Sequence, residues 1–175
     1  VRVEFVVLSL DAYQRNVQVS DEEIRKYYEE NQSRYQTPEE RRASHILIPA
    51  SASATAEEKA KAKAIADDLL AQLKANPRKF GELAAKYSKD PGSAEKGGDL
   101  GFFGRGLMVK PFDEAAFAMK AGEITGPVET QYGYHIIRLD AIKAVQTTPL
   151  EAVRAQIIEE IHASFLETGV DVIET

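Results

Sequence analysis

The 175-residue chain is 43% hydrophobic and 29% charged, the make-up of an ordinary soluble globular protein with material for one good core. Its formal net charge of -6 is carried by interleaved acids and bases with no Lys/Arg stripe, which argues against general nucleic-acid binding. The lack of cysteine excludes thiol catalysis, disulfides and thiolate metal sites, and no apolar run approaches the ~18 residues that span a bilayer.

In chain order, Val3, Phe5, Val6, Val7 and Leu8 read as a strand. Ser20 with Glu23 forms a capping-box signature, followed at helical spacing by Ile24, Tyr27 and Tyr28 and then Tyr35, a packing stripe rather than a binding one. Residues 42–48 read as a strand, and residues 50–56 (Ala-Ser-Ala-Ser-Ala-Thr-Ala) as a flexible connector. Thr55 with Glu58 caps a helix whose apolar face is expected at Ala62, Ile65, Ala66, Leu69 and Leu73, stopped by Asn76-Pro77. A second helix carries Phe80, Leu83, Ala84 and Tyr87 on one stripe.

Residues 92–106 hold six of the eleven glycines and predict an irregular loop around one short strand. A short helix follows from Phe112 to Met119, ended by Ala121-Gly122, and then two strands near 127–130 and 134–142. Thr148-Pro149 opens a last helix with a stripe of Leu150, Val153, Ile157, Ile161 and Phe165. Strands and helices mixed without a βαβ repeat predict an α+β fold. The first and last zones are expected to pack on each other beside the central one.

Alternation puts His45 on the face of Ala43 and Leu47, and His135 on the face of Ile137 and Leu139. Each imidazole is therefore part-desolvated and in need of a partner. One such histidine reads as a satisfied core residue. Two on comparable faces of separate strands point to a site, with a neutral pair sharing one N–H···N contact near pH 7. A metal site of His45, His135 and Asp90 has the right residue types but no ligand-spacing motif. There is no Gly-x-Ser-x-Gly elbow, and Gly101, Gly104 and Gly106 fit no nucleotide-binding fingerprint. Asp99 in the glycine loop reads as a turn or capping acid. Leu100, Phe102, Phe103, Leu107, Met108 and Phe112 either finish the core or leave an apolar cup open for a proline ring.

The ordered runs Arg42-Ala43-Ser44-His45-Ile46-Leu47, Phe80-Gly81-Glu82-Leu83-Ala84, Tyr87-Ser88-Lys89-Asp90-Pro91, Gly98-Asp99-Leu100-Gly101-Phe102-Phe103, Lys110-Pro111-Phe112, Gly126-Pro127-Val128-Glu129-Thr130 and Gly133-Tyr134-His135-Ile136-Ile137 resemble the parvulin family of peptidyl-prolyl cis-trans isomerases. The resemblance implies a four-stranded antiparallel sheet surrounded by helices over residues 39–143, with flanks 1–38 and 144–175 belonging to a chaperone-like module. It implies His45 and His135 as the paired histidines, Asp90 facing the isomerising imide and Thr130 supporting the pair. Leu100, Met108 and Phe112 would line the proline pocket with Phe103 beneath. No metal or organic cofactor is implied, and the partners would be proline-containing unfolded polypeptides. Some parvulins have cysteine where Asp90 stands, so aspartate favours a non-covalent mechanism. The loop Pro49-Ala50-Ser51-Ala52-Ser53-Ala54 has no Arg or Lys, so no preference for phosphorylated Ser/Thr-Pro is expected. Tyr27-Tyr28-Glu29-Glu30-Asn31 and Thr148-Pro149-Leu150-Glu151-Ala152-Val153 resemble the flanks of membrane-anchored periplasmic foldases of the PpiD type, with SurA-like chaperones similar in plan. That resemblance implies a periplasmic location. The start at Val1, without methionine or a signal-peptide pattern, leads us to expect a piece of a longer parent that could carry an anchor; no membrane contact is expected of this piece itself.

Overall fold

A computed structural model describes residues 18–167 and divides the chain into two units, residues 38–145 and residues 1–37 with 146–175. The expected strand at Val3, Phe5, Val6, Val7 and Leu8 lies outside the described residues.

The larger unit is built on a four-stranded antiparallel sheet. Its strands are β2 (Glu40–Pro49), β3 (Asp99–Gly104), β4 (Ile124–Thr130) and β5 (Gly133–Lys143), in the spatial order β3-β2-β5-β4. Alternation sorts the central pair onto two faces. Ile46 and Ile48 of β2 and Tyr134 and Ile136 of β5 meet α2 (Ala56–Ala75) and α3 (Phe80–Tyr87). Ala43, Ile137 and Leu139 meet Phe103 and the helix α4 (Lys110–Ala118) through Phe112, Ala116 and Phe117. Full burial of side chains such as Leu69, Leu73 and Phe80 contributes roughly 1.5–3 kcal/mol each.

The capping box at Thr55 and Glu58 is present, with the Glu58 amide donating to Thr55 Oγ1 and the Thr55 amide donating to Glu58 Oε2. The face of α2 is corrected: Ile65 is 46% exposed and Leu70 is buried in its place. At about 100° per residue, Ala62, Ala66, Leu69, Leu70 and Leu73 share a stripe roughly 100° wide, and Ile65 falls about 40° outside its edge. The segment 50–56 is a tethered turn rather than a free connector. Ala50 is buried and its amide donates to the Tyr132 carbonyl (3.1 Å), while the Ala54 amide closes onto Ser51 (3.0 Å).

Arg41, on β2, fixes the far end of α4. Its buried guanidinium donates to the carbonyls of Met119 (2.9 Å) and Phe117 (3.3 Å), pairs with Glu39 (2.6 Å) and lies 5.2 Å from the Phe117 ring centroid. A cation here satisfies helix-end carbonyls and opposes the negative end of the helix dipole. Arg41→Met is expected to lower stability by about 2 kcal/mol, because two carbonyls and a carboxylate lose their donor. Urea unfolding checks this as a shifted midpoint at unchanged slope.

In the other unit, α1 (Asp21–Glu30), with the expected Ser20/Glu23 capping box, packs on α5 (Leu150–Glu167) through Ile24, Tyr35, Val153, Ile157 and Ile161. Helix α5 begins at Leu150, one residue after the proline expected at its first position. A two-stranded ladder joins β1 (Gln36–Thr37) to β6 (Gln146–Thr147). The tyrosines belong to this packing: Tyr28 stacks on Tyr35 at 5.3 Å, and their hydroxyls donate to the Thr148 carbonyl (2.7 Å) and Glu160 Oε2 (2.9 Å). Burial, reinforced by donation to the Glu160 carboxylate, pushes the Tyr35 hydroxyl up to about 12.

Candidate functional site

The ladder between β2 and β5 pairs His45 with Ile137 and Leu47 with His135, so the two histidines sit diagonally on one face. Their Nδ1 atoms face each other at 3.1 Å, and each ring is nearly buried, at 6% and 4% exposure. The outer nitrogens are also engaged. His45 Nε2 lies 2.9 Å from Asp90 Oδ2 and 3.1 Å from Ser93 Oγ, and His135 Nε2 lies 2.8 Å from Thr130 Oγ1. Ser93 Oγ donates to the same Asp90 oxygen.

One set of tautomers satisfies every group. Asp90, ionised, accepts from His45 Nε2–H; His45 Nδ1 then accepts from His135 Nδ1–H; His135 Nε2 accepts from the Thr130 hydroxyl. Burial, reinforced by the neighbouring His45, pulls the His135 pKa down to about 4, so that ring is neutral at pH 7. Burial by itself raises the Asp90 carboxyl. The hydrogen bonds from Ser93, His45 and the Gly92 amide outweigh it and hold the group below its usual value.

Local structure places each member. The short helix α3 ends at Tyr87, and Ser88 Oγ accepts from the Leu47 amide (3.1 Å) while the Lys89 amide donates to the Leu47 carbonyl (2.9 Å). This stitch holds Asp90 beside β2. Gly98 closes the other side: its carbonyl accepts from the His45 amide (2.9 Å) and its own amide donates to the Ser93 carbonyl (2.8 Å). With φ +86, Gly98 lies so close that a Cβ there would stand 2.3 Å from the His45 carbonyl oxygen. Thr130, at the end of β4, is fixed by the Tyr132 amide, which donates to its hydroxyl (3.1 Å).

The apolar candidates gather at the histidines. Phe112 meets His45 and His135 edge-on, at ring centroid distances of 5.8 and 5.5 Å, and Phe103 lies 6.2 Å from Phe112. Both phenylalanines are buried, and Leu100 and Met108, half-buried, pack on the same cluster. Exposed apolar surface beside the buried rings is therefore supplied by Leu100 and Met108. Asp99 makes the turn expected of it, accepting from the Gly101 amide (2.9 Å), and adds a two-pronged pair with Arg42 at 2.6 and 3.2 Å.

Sequence reasoning missed Ser93, which shares its oxygen contacts with both Asp90 and His45. Its spacing three residues after Asp90, across Pro91-Gly92, was the available signal for a turn that folds back on the acid. Among the described residues, no group of three or more His, Cys, Asp or Glu side chains is arranged to hold a metal ion.

With this geometry, the likenesses of the chain become specific. The family model for the PPIC-type PPIASE domain matches residues 23–143. The foldase protein PrsA of Caldanaerobacter subterraneus subsp. tengcongensis is 43% identical over 133 residues, 76% of this chain and 38% of that protein. A probable parvulin-type peptidyl-prolyl cis-trans isomerase of Bordetella pertussis is 38% identical over 149 residues, 85% of this chain and 53% of that protein. The chain thus spans about half or less of these curated relatives. A solved structure from work on the virulence factor PEB4 and the periplasmic protein Cj1289 of Campylobacter jejuni, two SurA-like chaperones, matches with a TM-score of 0.72 and 31% identity, over 93% of this chain and 62% of that one. A solved PpiC-type isomerase domain matches with a TM-score of 0.56 and 30% identity, over 62% of this chain and 94% of that one.

Proposed function

Because the chain belongs to the family of PPIC-type peptidyl-prolyl cis-trans isomerase domains, we propose that it speeds cis–trans exchange at X-Pro bonds of unfolded, extracytoplasmic polypeptides. The observation that carries this reading is the hydrogen-bonded line Asp90–His45–His135–Thr130, bordered by the apolar cluster of Leu100, Met108 and Phe112. Residues 39–143 are assigned the isomerase role, and the flanks 1–38 and 144–175 to a chaperone-like module.

Rotation about the peptide bond faces a barrier of about 18–20 kcal/mol, because resonance flattens the C–N bond and places negative charge on the carbonyl oxygen. The twisted amide loses that charge. A fixed carboxylate facing the carbonyl oxygen therefore raises the planar states more than the twisted one, which lowers the barrier between them. Asp90 is suited to this. Its Oδ2 is held by His45 and Ser93, while Oδ1 receives only a long contact from the Gly92 amide (3.4 Å). His45, held between Asp90 and His135, orients the acid, and His135, neutral at pH 7, adds no cation that would cancel its charge. Leu100, Met108 and Phe112, with Phe103 beneath, would seat the proline ring and exclude water. About 4 kcal/mol of such differential binding gives a thousandfold acceleration with no bond made or broken.

The loop from Pro49 to Ala54 carries no Arg or Lys, which supports an isomerase without phosphate preference at the residue before proline. Likeness to the PEB4 and Cj1289 structures, one described as periplasmic, supports a periplasmic setting. Among the described residues, no helix is long and apolar enough to cross a membrane. The same likeness to SurA-like chaperones favours a second reading, a peptide-holding module with little turnover.

NMR exchange spectroscopy on a short Ala-Xaa-Pro peptide separates the two. Wild-type protein is expected to drive fast exchange, and folded Asp90→Ala to lower it roughly tenfold to hundredfold, the worth of one charged hydrogen-bonding partner. Background exchange with wild type, alongside peptide binding, would establish the holding module instead.

A further inference from the structure

A second concavity lies between the N-terminal half of α2, the C-terminal end of β2 and the C-terminal end of α3. It is a groove of about 370 Å³ with Ile48, Ala62, Ile65 and Tyr87 in its walls. Ile65, the most exposed of these at 46%, is the residue that the helical pattern alone would have buried. Lys61, Lys86 and Lys89 stand on the rim. They concentrate positive charge there although the whole chain carries -6.

The groove lining holds three lysines against one acid, Glu58, so the nearby acids offset this rim only in part. Glu58 lines the groove, but its carboxylate turns back to accept from the Thr55 amide (2.7 Å) and hydroxyl (2.9 Å). Glu57 pairs with Lys61 at 2.6 Å in an exposed i,i+4 contact, of the kind that water and salt loosen. Lys86 rests 5.0 Å from the Tyr87 ring centroid, and no acid pairs with Lys86 or Lys89 within the described residues. The chemistry that fits is an apolar side chain with carboxylates on either side.

We propose that this groove binds extended polypeptide segments in which an apolar residue is flanked by Asp or Glu. Lys89, in the groove lining, directly precedes Asp90 in the chain, one Cα step of about 3.8 Å. Binding here uses no group of the histidine network and holds whether or not the domain turns over X-Pro bonds.

The test is a proline-free hexapeptide, acetyl-Glu-Asp-Leu-Phe-Asp-Glu-amide, titrated into isotopically labelled protein and followed by amide shifts. Shifts are expected at Ile65, Tyr87 and Lys89 and not at Thr130 or His135. The Lys61→Glu, Lys86→Glu double variant is expected to weaken binding at least tenfold, and Ile65→Ser about fivefold. All three positions are exposed, so folding is retained. Equal affinity for the same peptide with lysines replacing its acids, unchanged affinity in the double variant, or shifts confined to the histidine pair would overturn the proposal. So would protein that sediments with phosphatidylglycerol vesicles through these lysines while ignoring the peptide.

Discussion

Gly98→Ala is expected to destabilise the isomerase unit by more than about 3 kcal/mol and to remove exchange activity from what remains folded. Two independent effects add. An alanine at φ +86 sits in the left-handed region at a penalty of roughly 1–2 kcal/mol. Its Cβ would also stand 2.3 Å from the oxygen and 3.1 Å from the nitrogen of His45, backbone atoms of a central strand that cannot swing aside. The loop must then lift off β2, breaking the bond from the His45 amide to the Gly98 carbonyl and moving Ser93, which Gly98 also holds. Gly106→Ala is the control. Gly106 has a similar φ of +80, but no atom lies within 4 Å of its added Cβ. A urea midpoint falling far more for Gly98→Ala than for Gly106→Ala is the expected outcome, and equal falls would mean that the close approach is not what holds the loop.

The second large effect is acid lability. His135 titrates near 6.5 in the unfolded chain and is pulled down to about 4 in the fold, first by burial and then by His45. Between these values the unfolded state binds the extra proton, so stability is fully present above pH 6.5 and is lost as pH falls toward 4. One group of this kind removes about 2 kcal/mol by pH 5 and about 3 kcal/mol by pH 4. Urea unfolding at a series of pH values measures the slope. His135→Asn should flatten it over this window, and a slope that survives that substitution would assign the lability elsewhere. Asp90 adds its own loss only at lower pH, because its carboxyl lies below the ordinary 3.8 in the fold.

Both capping boxes were legible because their bonds close within four residues. The α+β class followed from element order, and the four-stranded antiparallel sheet from the resemblance carried by its motifs. Strand β4 was read from 127 but begins at Ile124, because Gly126-Pro127 looks like a breaker while the ladder to β5 simply shifts register across it. The face of α2 was misplaced by one turn position, since Ile65 and Leu70 flank the same stripe and only the sheet beneath decides which is covered. Arg41 showed no signal at all: its partners are carbonyls 76 and 78 residues away.

By itself, the sequence determined helices α1, α2, α3 and α5, both capping boxes, and that His45 and His135 each occupy an apolar strand face. These depend on backbone bonds and periodicities a few residues long. The tertiary structure alone decided that Nδ1 meets Nδ1, that Ser93 joins Asp90 on His45, and that Lys61, Lys86 and Lys89 share one rim. The histidines are 90 residues apart, and a slip of one residue between β2 and β5 would turn one ring to the opposite face. That register is set by packing on both faces of the sheet, which no local pattern contains.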